Sequence, residues 1–345
     1  MEYITLTVND QKIRVQEGLT LLEVAKKMEI DIPTLCYFKY LDPKEGSNCR
    51  MCVVELEGAK KLVTSCGSYA AEGMVVFTHS ERVIEARKTI LELTLSDHPL
   101  DCMTCQVAGD CKLQDYCYAY DVKDSPYAGG MTNDMQMDTS NRFYDYDPSK
   151  CILCGRCVRI CSELQCSHAI GTKNRGFQTH VTAPFEEGLD KSKCVSCGSC
   201  VSYCPVGALV PKQKNKFRYW EVDKVKTTCA YCGVGCQMNL LVKENKIVEV
   251  EPLDGLANRG LLCVKGKFAY KFIDHPDRLT QPLIRKNGEL VEATWDEAIE
   301  LIANKAKTIK EESGGGAFGG LSSARCTNEE NYLQLDVPMK KIICS

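Results

Sequence analysis

The chain has 345 residues, 44% of them hydrophobic, and its 43 basic and 46 acidic side chains leave a formal net charge of -3. That length holds two or three domains, and the mixed, nearly balanced charge gives no electrostatic footprint for nucleic acid or an anionic membrane. No stretch approaches the roughly 18 apolar residues of a membrane span, and the opening MEYITLTVND lacks the basic-then-apolar form of a leader, so a cytoplasmic protein is expected.

Residues 3–8, YITLTV, alternate apolar and polar, break at Asn9-Asp10 and resume in KIRV, which predicts a β-hairpin. A helix is expected next, because Leu21, Leu22, Val24, Ala25 and Met28 recur at helical spacing behind Thr20, an N-cap residue. VVEL at 53–56 and MVVF at 74–77 read as strands of a small β-rich domain ending near residue 80. SERVIEARKTILELTLSDHP then places Val83, Ile84, Arg87, Ile90, Leu91 and Leu93 at mostly helical spacing and stops at Pro99. Residues 123–149 are rich in Asp, Ser, Gly and Tyr and read as a linker or long surface loop.

A cysteine-rich block fills about 150–215, and after the polar connector KQKNKFRYWEVDK another block begins at 226. Late in the chain, Thr294 with Glu297 makes a capping box, and Ala298, Ile299, Ile302, Ala303, Ala306 and Ile309 give the buried stripe of a helix ending at Gly314. The run GGGAFGG that follows is not a phosphate-binding fingerprint and reads as a turn into a strand.

The 23 cysteines are the anomaly. A disulfide scaffold and a set of metal-binding thiolates compete as explanations. Spacing favours metal, since most fall in tight sets two or three residues apart. The first set is Cys36, Cys49, Cys52 and Cys66, on loops of the β-rich domain. Four such thiolates can hold two irons bridged by two sulfides, with a zinc site as the alternative. The second is His98, Cys102, Cys105 and Cys111 in HPLDCMTCQVAGDC.

CILCGRCVRIC (Cys151, Cys154, Cys157, Cys161) and CVSCGSCVSYCP (Cys194, Cys197, Cys200, Cys204) repeat the spacing of bacterial two-cluster ferredoxins, in which the fourth cysteine of each run serves the other cluster. That rule groups Cys151, Cys154 and Cys157 with Cys204, and Cys194, Cys197 and Cys200 with Cys161. Two departures remove no ligand: Ser162 stands where proline is usual, and 32 residues separate the runs. The fifth set is Cys229, Cys232, Cys236 and Cys263. Cys117, Cys166, Cys326 and Cys344 are left over and are expected to be ordinary buried thiols.

The motifs also carry a family resemblance. The twelve residues between Cys36 and Cys49 resemble the N-terminal 2Fe-2S domain of the large iron–sulfur subunit of respiratory complex I and of NAD-linked hydrogenases. The His-x3-Cys-x2-Cys-x5-Cys pattern resembles that family's 4Fe-4S signature and implies His98 as a ligand. CAYCGVGCQ with GLLCVKGKF resembles the N-terminal 4Fe-4S domain of molybdopterin oxidoreductases, above all the formate dehydrogenase alpha subunits. Lys265 matches that family's lysine between cluster and pterin, and HPDRLTQPLIRKNGELVEATWDEAI and SSARCTNEENY continue the likeness.

What the resemblance implies is an α+β multidomain iron–sulfur protein. A β-grasp 2Fe-2S ferredoxin domain would occupy 1–80, a His/Cys-ligated 4Fe-4S helical segment and linker 81–145, and a two-cluster 4Fe-4S ferredoxin domain 146–220. A molybdopterin-oxidoreductase-type 4Fe-4S domain with a truncated α/β remnant would fill 221–345. The cofactors expected are one 2Fe-2S and four 4Fe-4S clusters, without molybdopterin.

No GxSxG, P-loop or HExxH constellation is present, and the glycine run at 314–320 lacks the strand-turn-helix setting of a dinucleotide-binding GxGxxG. In formate dehydrogenases the catalytic cysteine or selenocysteine lies beyond NEENY, and here residues 333–345 follow it. The expectation is therefore a non-catalytic electron-relay subunit of a multisubunit cytoplasmic complex, foremost an electron-bifurcating NAD(P)H–ferredoxin oxidoreductase. Its implied partners are a flavoprotein that oxidises NAD(P)H, a small 2Fe-2S subunit and soluble ferredoxin. The alternatives are a truncated formate dehydrogenase catalytic subunit, an electron-transfer subunit of a formate dehydrogenase or hydrogenase complex, and a zinc-bound scaffold.

Overall fold

Asn9 and Asp10 both take positive φ, the backbone a tight hairpin loop demands, and across them β1 (Tyr3–Val8) pairs antiparallel with β2 (Gln11–Gln16). In the computed structural model, which describes residues 2–130, 135–212, 217–323, 325–336 and 341–344, this hairpin opens the first of two units. That unit takes in the chain to Asp223 together with Leu262–Val264, and the second takes in Lys224–Leu261 and the chain from Lys265.

A capping box starts α1 (Leu21–Lys27): Thr20 Oγ1 accepts from the Glu23 amide, and the Glu23 carboxylate accepts from the Thr20 amide at 2.8 Å. β3 (Val53–Leu56), β4 (Val63–Thr64) and β5 (Val75–Phe77) complete a five-stranded sheet in the order β2-β1-β5-β3-β4. Leu21, Val24 and Ala25 of the helix share one core with Leu6, Val8, Val54 and Val76 of the sheet. Cys52 and Cys66 lie in that same core, so packing the domain also places two of the candidate ligands.

α2 (Glu81–Leu95) buries Val83, Arg87, Leu91 and Leu95, an unbroken i, i+4 row. Ile84 and Leu93, expected on the buried stripe, fall off that row and are exposed. Arg87 is fully buried and donates to the Tyr120 hydroxyl and the Val53 carbonyl, both at 2.9 Å. It ties α2 to the sheet and to the end of α3 (Lys112–Ala119).

Part of the expected linker at 123–149 is not a loop. Tyr144–Tyr146 forms β6, and its two tyrosines are buried. α4 (Arg156–Arg159) runs on into a π-helical turn, Ile160–Leu164. The stretch between the two ferredoxin-like runs contains a hairpin of β7 (Gly171–Lys173) and β8 (His180–Thr182). α5 (Ser199–Ser202) follows, and β9 (Leu209–Pro211) returns antiparallel to β6. The YDY alternation spans only three residues, and the strand forms by pairing with β9.

In the second unit β10 (Asp223–Thr228), β11 (Gln237–Lys243) and β12 (Lys246–Pro252) form a three-stranded sheet in sequence order. In α6 (Val264–Phe268), Lys267 is buried and its Nζ donates to Glu249 Oε1 at 3.0 Å and to the Val250 carbonyl at 2.6 Å. Removing one partner of a buried ion pair leaves an uncompensated charge. Lys267→Ala is therefore expected to cost about 3–5 kcal/mol, read as a lowered denaturant midpoint of the full chain. An unchanged midpoint would show that the pair contributes nothing.

β13 (Leu283–Lys286) and β14 (Glu289–Glu292) form a hairpin before α7 (Trp295–Ser313). Thr294 caps α7 by accepting from the Glu297 amide, but the Glu297 carboxylate turns to Lys286 Nζ at 2.6 Å, so half of the expected capping box forms. The expected buried stripe also differs, since Ala298 is buried whereas Ile302 is 67% exposed. The helical period is present, but among the described residues no element packs over Ile299 and Ile302. β15 (Gly319–Ser322) follows the glycine run as expected and pairs in parallel with β16 (Lys341–Cys344), with α8 (Asn328–Asp336) between them. Among the described residues no helix is long and apolar enough to cross a membrane.

Candidate functional site

The first four cysteines meet on the loops beside the five-stranded sheet. Cys52 Sγ lies 3.3 Å from Cys66 Sγ, and Cys36 bonds to both Cys49 and Cys66. Hydrogen bonds from Cys49 and then Cys66 hold the Cys36 thiol down at about 2, and the bond to Cys66 holds Cys52 at about 7. The same bonds, with burial, push Cys49 and Cys66 up. Ser47 Oγ also stands 3.3 Å from Cys66 Sγ.

His98 follows the end of α2, and Cys111 is the N-cap residue of α3. Together with Cys102 they line a cavity of about 300 Å³, and Cys105 adds its charge beside Cys102 and Cys111. Burial holds the imidazole below its ordinary range, so it is neutral, and its Nδ1 is buried without a hydrogen-bond partner. A neutral ring with an orphaned nitrogen beside thiols is the donor set a metal centre requires.

The two ferredoxin-like runs fold alike. In the first, Leu153 and Gly155 take positive φ before α4; in the second, Ser196 and Gly198 do so before α5. These left-handed residues curl each run so that backbone amides face sulfur. Burial raises Cys151 to about 11 and Cys154 to about 12, partly offset by the amides of Leu153 and Arg156. Cys204, raised to about 11, accepts from the amides of Val206, Ala208 and Leu209. In the other run the Ser196 amide donates to Cys194 Sγ at 3.3 Å, and the Ala169 amide donates to Cys161 Sγ at 3.4 Å. Such donors favour thiolate over thiol, which suits ligands to iron.

Charge neighbours follow the crossed pairing. Cys204 weighs on Cys154 and Cys157, while Cys161 has Cys197 and Cys194 as neighbours. Arg156 is buried, donates to the Tyr203 carbonyl at 3.0 Å, and places a cation beside Cys154.

Cys229, Cys232 and Cys236 belong to the second unit, where the Cys229 amide donates to the Cys236 carbonyl at 2.8 Å. Cys263 falls in the three-residue stretch grouped with the first unit. Lys265, singled out in the sequence, is exposed, whereas its neighbour Lys267 is buried. The leftover cysteines do not behave alike. Cys117 is half-buried and lines the cavity with His98, Cys102 and Cys111. Cys166 and Cys326 are exposed rather than buried, and the side chain of Cys344 lies outside the described residues. Among the described residues no three His, Cys, Asp or Glu donors crowd onto a position for one bare ion.

Residues 2–81 match the 2Fe-2S iron-sulfur cluster binding domain, and 87–126 match the NADH-ubiquinone oxidoreductase-G iron-sulfur binding region. Residues 144–162 and 188–210 match the 4Fe-4S binding domain, 222–275 the molybdopterin oxidoreductase Fe4S4 domain, and 278–342 molybdopterin oxidoreductase. A chain in the crystal structure of NAD+-reducing NiFe-hydrogenase in the H2-reduced state is 31% identical, with a TM-score of 0.56, and the match covers 62% of this chain and 89% of that one. The chain belongs to the iron–sulfur family of the G-type subunits of NADH-quinone oxidoreductase and the NAD+-reducing hydrogenases.

Within this family, the second G-type subunit of the NADH-quinone oxidoreductase of Rhizobium meliloti is 37% identical over 341 residues, covering 95% of this chain and 38% of that protein. The alpha subunit of the NADPH-Fe(3+) oxidoreductase of Geobacter sulfurreducens is 34% identical over 331 residues, covering 96% of this chain and again 38% of the relative. The chain thus spans under two fifths of the length of these curated relatives. It is of α+β construction and carries one 2Fe-2S domain and several 4Fe-4S-binding regions. Sequence reasoning missed Tyr144, Tyr146 and Arg156 around the sulfurs. The alternating YDY stood in view at 144–146 as a signal; nothing local marked Arg156.

Proposed function

We propose that the chain is a cytoplasmic electron relay holding one 2Fe-2S cluster on Cys36, Cys49, Cys52 and Cys66 and four 4Fe-4S clusters. The four ligand sets are His98 with Cys102, Cys105 and Cys111; Cys151, Cys154 and Cys157 with Cys204; Cys194, Cys197 and Cys200 with Cys161; and Cys229, Cys232 and Cys236 with Cys263. When bound, such clusters supply reversible one-electron storage and transfer. The chain's own residues set the donors, exclude water and fix the neighbours. What carries the reading is contiguity: Cys36 weighs on Cys154, and Cys200 weighs on Cys157. Gly207 sits so close to the second set that a Cβ there would stand 2.8 Å from Cys105 Sγ. The Cys151 set is thus a neighbour of three others.

The partners fitting such a relay are a flavoprotein oxidising NAD(P)H, a small 2Fe-2S subunit and soluble ferredoxin, with electron bifurcation as the overall reaction. Cys157→Ser in the copurified complex should cut NAD(P)H-to-ferredoxin transfer at least about tenfold while sparing dye reduction at the flavin, since it removes one ligand at the junction. Transfer at the wild-type rate would sink the relay. Bifurcation itself predicts ferredoxin reduction only when a second, higher-potential acceptor turns over alongside. A second reading is favoured by the match of 278–342 to molybdopterin oxidoreductase: the same relay feeding a molybdopterin-type catalytic region such as that of formate dehydrogenases. Molybdenum or tungsten copurifying with the complex would favour it.

A further inference from the structure

β6 alternates Tyr144, Asp145 and Tyr146, so both phenol rings leave the strand on one face, and both are buried. They diverge to different sulfurs. The Tyr144 hydroxyl lies 3.2 Å from Cys194 Sγ and is also bonded to Cys200. The Tyr146 hydroxyl is buried beside Cys151, Cys157 and the Val181 backbone, and no well-formed hydrogen bond satisfies it. One three-residue strand therefore presents one phenol to each ferredoxin-like run.

Buried hydroxyls are expensive to leave unpaired, and a phenylalanine would fill the same apolar space without that cost. The polar atom must therefore be matched by the sulfur it meets, and a phenol O–H can donate to a thiolate. A donor to a ligand sulfur stabilises the more negative, reduced state and so raises the cluster potential, hydrogen bonds to sulfur being one of the levers that set it. Amide donors also reach Cys151 and Cys194. A backbone amide is available whatever the side chain, however, whereas each phenol is set by the residue at one position of β6.

We propose that Tyr144 and Tyr146 are a matched pair of positioning residues, each setting the potential of one 4Fe-4S cluster of the ferredoxin-like domain through a hydrogen bond to its ligand sulfur. Tyr144 acts on the Cys194 set and Tyr146 on the Cys151 set. The inference rests on the ligand sets proposed above. β6 also couples the two, because a shift of this strand against β9 moves both hydroxyls together.

The test uses the full chain, reconstituted anaerobically and followed by potentiometric titration with EPR. Tyr144→Phe should lower one 4Fe-4S midpoint by about tenfold in its one-electron equilibrium, about 59 mV, and leave the other in place. Tyr146→Phe should do the converse, with iron content unchanged in both. Site-specific 3,5-difluorotyrosine at 144, a stronger donor, should shift the same midpoint upward at mildly acidic pH, where it stays protonated. Two unmoved midpoints, or both variants moving the same one, would overturn the inference alone. A Phe variant that loses iron instead assigns that ring a structural role and overturns it too. A wild-type chain without two such clusters sinks the ligand assignment and this inference with it.

Discussion

Cys161→Ala is expected to strip iron from the second ferredoxin-like run rather than from its own. Full anaerobic loading should bring the chain to about 18 irons, and the variant should settle about four lower, one 4Fe-4S cluster having lost its fourth ligand. The geometry behind this is the crossed neighbourhood: Cys161 stands among Cys194, Cys197 and Cys200, while Cys204 stands among Cys151, Cys154 and Cys157. Double variants decide it. Cys161→Ala with Cys197→Ala should lose no more iron than either alone, since both serve one cluster. Cys161→Ala with Cys154→Ala should lose about eight. Additive loss in the first pair, or none beyond a single variant in the second, would show that each run keeps its own fourth cysteine.

Replacing His98 with cysteine should keep the second cluster and lower its midpoint by about 59 mV or more, at least about tenfold in the one-electron equilibrium. The physical reason is charge. The imidazole is neutral, held so by burial, and its Nδ1 has no other partner. A thiolate in its place adds a negative charge and stabilises the oxidised form. The Lys150 ammonium lies 3.1 Å from Asp101 beside the site, with Cys105 in its field, so the added charge is partly screened and the cluster should survive. His98→Ala offers no donor and should lose iron from this set, unless Cys117, which lines the same cavity, takes the position. An unchanged midpoint and spectrum in His98→Cys would remove His98 from the ligand set.

Much of this protein is written locally in its sequence. The hairpin across Asn9-Asp10, the capped α1, the helix after Ser80 and the turn into β15 depend on neighbours within a few residues, so alternation and capping found them. Cysteine spacing is local in the same way, because a run such as Cys151 to Cys161 curls through its own left-handed turns. The apolar face of α7 shows the limit: the period predicted a helix correctly, but burial depends on what packs over it, and Ile302 stays exposed. Cys166 and Cys326 fail for the same reason, a thiol's exposure being a property of its surroundings. Tertiary structure alone placed Arg87 between Val53 and Tyr120, Arg156 beside Cys154, and Cys36 in the field of Cys154. It alone turned YDY from linker into a strand whose two phenols reach different sulfurs, since β9 and both cysteine runs that complete that environment lie beyond the reach of local pattern. Candidate donors are a matter of residue type and spacing, which a sequence states outright; which cysteine sets are neighbours follows from packing between segments as far apart as residues 36 and 154.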